Sequence, residues 1–98
     1  MYFVVFGTDR PGTEQVRADT RPAHQAHLRD HPDPVTVLHG GPTLTADGAR
    51  MNGSMLVVEA ERLEDVQAFM ANDPYSKAGL FETVEIRPWK WGMGAPER

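Results

Sequence analysis

Cysteine is missing from all 98 residues. No disulfide framework, thiolate nucleophile or thiolate metal ligand is therefore available. Long hydrophobic runs are missing too. The opening Met1-Tyr2-Phe3-Val4-Val5-Phe6 reaches Gly7 after six residues, too short to span a bilayer, and no basic segment precedes it as in a secretory signal. A cytoplasmic location is the expectation. There is no basic excess, since Asp plus Glu outnumber Lys plus Arg by 14 to 10 and the net charge is −4. Nucleic acid and anionic membrane are accordingly not expected as partners. The sequence has no phosphate loop, no dinucleotide fingerprint, no Gly-x-Ser-x-Gly elbow and no His-Glu-x-x-His pair, so neither organic cofactor nor metal is expected. Internal repeats and low-complexity tracts are also absent.

What is present suits one domain with 40% hydrophobic residues. The domain is expected over 1–92, with a loose tail at 93–98. Residues 1–8 are β-branched and aromatic and read as a strand. Both of its faces are apolar, with Tyr2, Val4 and Phe6 on one and Phe3 and Val5 on the other. Asp9-Arg10-Pro11-Gly12 is a turn cluster. A polar helical stretch from Thr13 to about Asp19 follows, with Thr20 as a cap and a helical restart at Pro22 running to about Asp30. That reading puts His24 in a first turn, where the helix dipole favours a neutral imidazole.

Strands are expected at 35–43, broken or bulged at Gly40-Gly41-Pro42, and at 53–60, with a turn at Ala46-Asp47-Gly48 between them. Leu63, Val66, Phe69 and Met70 mark an amphipathic helix ending near Asn72. Asp73 can cap a short helix begun by Pro74. A last strand is expected at 83–91. The order is the split βαβ pattern of an α+β, ferredoxin-like βαββαβ fold with an antiparallel sheet. Helices on one side would leave an apolar face on the other, carrying Trp89 and Trp91. A second copy is the simplest cover, so a homodimer is expected.

Several residues carry candidate chemistry. His24 reads either as a polar helix residue or as a general base. Asp73 reads as an N-cap, as a partner for His24, or as both, because a capping carboxylate keeps lone pairs for an imidazole N–H. Ser54 is a strand serine or a ligand-binding hydroxyl. Tyr75 is packing or a pocket wall. Arg21 binds an anion or pairs with a carboxylate. Gly40, Gly41 and Pro42 end a strand or shape a pocket rim. His24, His27 and His31 could stripe one helix face, but no accompanying Glu makes a metal site of them.

Arg21-Pro22-Ala23-His24, Gly40-Gly41-Pro42, Gly53-Ser54, Asp73-Pro74-Tyr75 with Ala78-Gly79, and Val84-Glu85-Ile86-Arg87-Pro88-Trp89-Lys90 occur in the order seen in the YciI-like (YCII-related) proteins. The chain resembles that family over nearly its whole length. The resemblance implies a dimeric α+β barrel and an active site centred on a histidine and an aspartate, at the positions of His24 and Asp73. One member is a dehydrochlorinase acting on a chlorinated, hydroxylated aromatic. The wider superfamily holds muconolactone isomerases and cofactor-free monooxygenases. The chain departs from the pattern in lacking a serine cap before the helix at 63–72 and in the polarity of its first helical stretch.

Two classes of function follow. The first is a cofactor-independent enzyme using His24 and Asp73 as an acid/base pair on a small, hydroxylated ring compound, by elimination or isomerisation, with Arg21, Gly41, Pro42, Ser54 and Tyr75 binding the substrate. The second is a small-ligand-binding or accessory module without catalysis.

Overall fold

A computed structural model describes residues 1–30 and 34–95. Seven elements follow in the order β1 (Tyr2–Asp9), α1 (Glu14–Asp30), β2 (Thr36–Leu44), β3 (Met51–Glu59), α2 (Leu63–Ala71), α3 (Pro74–Lys77) and β4 (Phe81–Trp89). The strands form a single antiparallel sheet in the order β2-β3-β1-β4. Two βαβ-type connections bring β1 and β3 to the centre, as the ferredoxin-like pattern requires.

The alternation of β1 divides the sheet into two faces. Phe3 and Val5 point to the helical side and are buried with Leu56, Val58, Val66, Phe69, Tyr75, Leu80 and Phe81 in one core. Val4 and Phe6 point away, and Phe6 stays 42% exposed. In β4 the face of Ile86 pairs with Val5, while Arg87 and Trp89 lie beside Val4 and Tyr2. Glycine is demanded where backbones close up. A Cβ on Gly53 would stand 2.3 Å from the carbonyl oxygen of Gly7. Gly48 takes φ +74° in the β2–β3 turn, where the Asp47 carboxylate accepts from Thr45 Oγ1 and the Ala49 N–H. No helix of the described residues is long and apolar enough to cross a membrane.

Several details differ from the sequence reading, and β3 begins two residues earlier than expected, at Met51. The expected break at Thr20–Pro22 does not occur, and α1 runs unbroken through Pro22. Proline removes the hydrogen bond to the carbonyl of Ala18 and crowds it, at a cost of about 3 kcal/mol or more. Buried anchors lie on both sides of it, Arg17 before and His24 after. Their tertiary partners hold the helix together against its local preference. His24 therefore sits mid-helix, away from the terminal turn in which a dipole acts. In β2 the glycines do not break the strand. Its register shifts fall between Val37 and His39 and between Thr43 and Leu44. β4 begins two residues early, at Phe81, whose ring fills the space beside Gly7. Of the tail, residues 96–98 lie outside the described residues, as does His31 of the histidine stripe.

Candidate active site

The site grows from one face of α1. Arg17, Arg21, His24 and Leu28 recur at helical spacing and all line a cavity of about 150 Å³. Gly40, Gly41 and Pro42 of β2, Met51 and Ser54 of β3 and Tyr75 of α3 form the facing wall.

Asp73 is completely buried behind this wall. It is the N-cap of α3 and accepts the Tyr75 N–H at 2.9 Å. The same carboxylate meets His24 Nδ1 at 2.9 and 3.0 Å through its two oxygens. A carboxylate can only accept, so Nδ1 carries a proton, which in the neutral ring leaves the lone pair on Nε2. Nε2 has no hydrogen-bond partner among the described residues. His24 and Asp73 touch, and only His24 lines the cavity. The imidazole also stacks on the Tyr75 ring, with centroids 3.9 Å apart and planes 17° from parallel. One tripeptide, Asp73-Pro74-Tyr75, thus fixes the histidine twice, Asp73 by hydrogen bonding and Tyr75 by packing.

Sequence reasoning missed Arg17 and Asp9. Arg17 is buried and its Nε and Nη2 clasp the two oxygens of Asp9 at 2.7 and 2.9 Å. Nη2 also donates to Ser54 Oγ at 2.9 Å, and Nη1 lies 3.5 Å from Tyr75 Oη. Burial works against the charge on Arg17, but Asp9 and Tyr75 together more than offset it and hold the guanidinium above its ordinary pKa. Burial pushes the Tyr75 phenol up, with Arg17 and Arg21 pulling the other way. The signal for Arg17 was in the sequence. It stands seven residues before His24, two turns along the same face, and the assumed break at Pro22 hid that spacing.

Each residue singled out from the sequence has a definite place. Arg21, Gly41, Pro42, Ser54 and Tyr75 all border the cavity with His24. Ser54 contacts Arg17, and no contact joins it to His24. Arg21 is exposed and has no carboxylate partner among the described residues. His27 instead stacks on Phe69 and bonds its carbonyl oxygen at 3.0 Å. No group of three or more His, Asp or Glu side chains able to hold a metal occurs among the described residues. A larger hollow of about 740 Å³ lies on the open sheet face, between Val4, Phe6, Met55, Trp89 and Trp91. It contains His39 but no carboxylate. Its apolar lining distinguishes it from the cavity at His24, which holds the acid/base groups.

Comparison with known proteins agrees with this architecture. A solved 5-chloro-2-hydroxyhydroquinone dehydrochlorinase, TftG from Burkholderia phenoliruptrix, in complex with 2,5-dihydroxybenzoquinone, is 43% identical. The match covers 94% of this chain and 96% of that one, with a TM-score of 0.83. SnoaB from Streptomyces nogalater, a cofactor-independent oxygenase, shares the fold at 14% identity and a TM-score of 0.54, over 98% of this chain and 96% of its own. Protein YciI of Escherichia coli O6:H1 is 35% identical over 95 residues, covering 92% of this chain and 97% of that protein. The YCII-related domain matches residues 1–90. The chain therefore belongs to the YCII-related family.

Proposed function

We propose that this protein is a cofactor-independent enzyme that moves a proton on a small hydroxylated ring compound, with His24 as the acid/base and Asp73 as the group that orients it. The observation that carries the reading is the unpartnered Nε2 of a cavity-lining histidine whose Nδ1 is held by a fully buried carboxylate. Such an arrangement fixes the tautomer and stabilises the imidazolium formed when Nε2 takes a proton. A cavity near 150 Å³ accommodates a benzene-sized ring.

In an elimination, Nε2 takes the proton, the electron pair it leaves forms a new double bond, and the leaving group departs with its own bonding pair. Hydrogen halide is the net loss, and no oxidant is required. In an isomerisation the imidazolium returns the proton at another atom. Arg21, Ser54 and Tyr75 bind the substrate, with Gly41 and Pro42 as a wall that admits a flat ring. The dehydrochlorinase activity of TftG supports the substrate class.

The active form is a homodimer joined through the open sheet face. The exposed Phe6 and Trp89, and the Trp91 Nε1–H that lacks a partner among the described residues, favour a second copy there. The experiment is a chloride-release assay with 5-chloro-2-hydroxyhydroquinone on purified metal-free protein. Turnover lost in His24→Ala supports the reading. Turnover at the wild-type rate in that variant rejects it.

A further inference from the structure

The proton transfer at His24 does not use the Arg17 guanidinium. We propose that the cavity selects a single ionised ring oxygen, a phenolate or enolate, bound at Arg17 Nη1 and the Ser54 hydroxyl beside the charge of Arg21. This deepens the acid/base reading and shares its cavity.

Charge is the first argument. The protein is net negative, yet two guanidiniums and an imidazole line this cavity and no carboxylate does. Asp9 and Asp73 both stand behind that lining, turned to Arg17 and His24. Asp9 balances Arg17, so Arg21, with no carboxylate partner among the described residues, supplies the unbalanced charge.

Donor arithmetic is the second. A guanidinium has five N–H donors in a fixed fork. Asp9 takes the Nε–Nη2 edge and Ser54 the other Nη2 hydrogen. Nη1 faces Tyr75 Oη across 3.5 Å and has a hydrogen to spare. Ser54 Oγ already accepts from Arg17, so its own hydrogen is free to donate. The hydroxyls and Nη1 around this corner therefore offer donors. The edge that would grip a carboxylate with two parallel bonds is occupied. What remains suits one oxygen atom carrying negative charge. The guanidinium is held rigidly by Asp9 and by its place 4.6 Å over the Tyr75 ring, so little ordering cost falls on binding.

The test uses 4-nitrophenol, which ionises near neutral pH and changes absorbance when it does. Binding to the full chain is followed across pH, and the ionisation of the bound probe is read directly. The expected result is a bound pKa lower than the free value by about one unit, a tenfold preference for the phenolate worth about 1.4 kcal/mol. The preference should persist in His24→Gln, which removes the imidazole, and fall several-fold in Arg21→Gln. It should be reduced in the Asp9→Asn, Arg17→Gln double variant, which removes the Nη1 donor, strands no buried charge and leaves Arg21 in place. Benzoate should bind several-fold more weakly than the phenolate. Equal affinity for phenol and phenolate overturns the proposal, as does a preference lost in His24→Gln or undiminished in the double variant. Should the double variant fail to fold, an unchanged preference in Arg21→Gln is sufficient to overturn it. Because binding alone is read, failure here leaves the acid/base reading standing, and failure of chloride release leaves this result standing.

Discussion

Asp73 is asked to cap a helix and to hold a histidine, and the two duties separate under substitution. In Asp73→Ala the Tyr75 N–H loses its acceptor, a cap loss of about 1 kcal/mol. The His24 Nδ1–H loses its partner in a buried setting, costing about 1–3 kcal/mol more. The total is about 3 kcal/mol. In Asp73→Asn, Oδ1 still accepts from both groups, as it does in the native protein at 2.9 Å each. Asparagine caps nearly as well as aspartate, so about 1 kcal/mol is expected, from the buried amide N–H₂ that replaces the second oxygen. Urea unfolding at one fixed protein concentration and neutral pH measures both. For a domain of this size each kcal/mol is about 4–8 °C in Tm, so thermal scans should separate the variants widely. An alanine variant within about 0.5 kcal/mol of wild type, a margin typical of inconsequential surface changes, would refute the reasoning. So would an asparagine variant as unstable as alanine.

Other outcomes follow from the same geometry. Gly53→Ala should destabilise by about 1–3 kcal/mol, since its Cβ meets the immovable backbone oxygen of Gly7, whereas Gly41→Ala, with open space around it, should stay within about 0.5 kcal/mol; urea midpoints compare them. The Tyr75 pKa is raised above its ordinary value of 10.0, so the unfolded chain ionises first and stability should fall as pH rises past that value. Unfolding measured below and above pH 10 should show a shallower decline in Tyr75→Phe; an identical decline would contradict the assignment. Sedimentation equilibrium at micromolar concentration should give about twice the chain mass, and Trp89→Glu should give a monomer. A monomeric wild type would reject the dimer.

Much of this was legible in the sequence because it rests on short-range signals. The alternation in β1 and the Leu63-Val66-Phe69-Met70 spacing located both faces of the sheet and the second helix. Asp73-Pro74 announced its own cap. What failed was the long-range part. Pro22 has a strong local preference to start a helix, and no local pattern shows that Arg17 finds the Asp9 carboxylate at the end of β1 or that His24 finds the buried Asp73 far along the chain. Those two anchors override the proline. The mistaken break then concealed Arg17 and left Asp9 as a turn residue, so half of the cavity's polar framework went unread. Arg21 went the other way. A surface arginine ordinarily pairs with a carboxylate, and this one is turned to a cavity without one.

The most direct test of the account is kcat/KM for the substrate of the proposed reaction in wild-type and His24→Ala protein, both metal-free and both shown to be folded. A positioned acid/base contributes about 10²–10⁴-fold, so the alanine variant should lose most of that factor while Asp73→Asn loses part of it. An unchanged kcat/KM in folded His24→Ala would contradict the central claim.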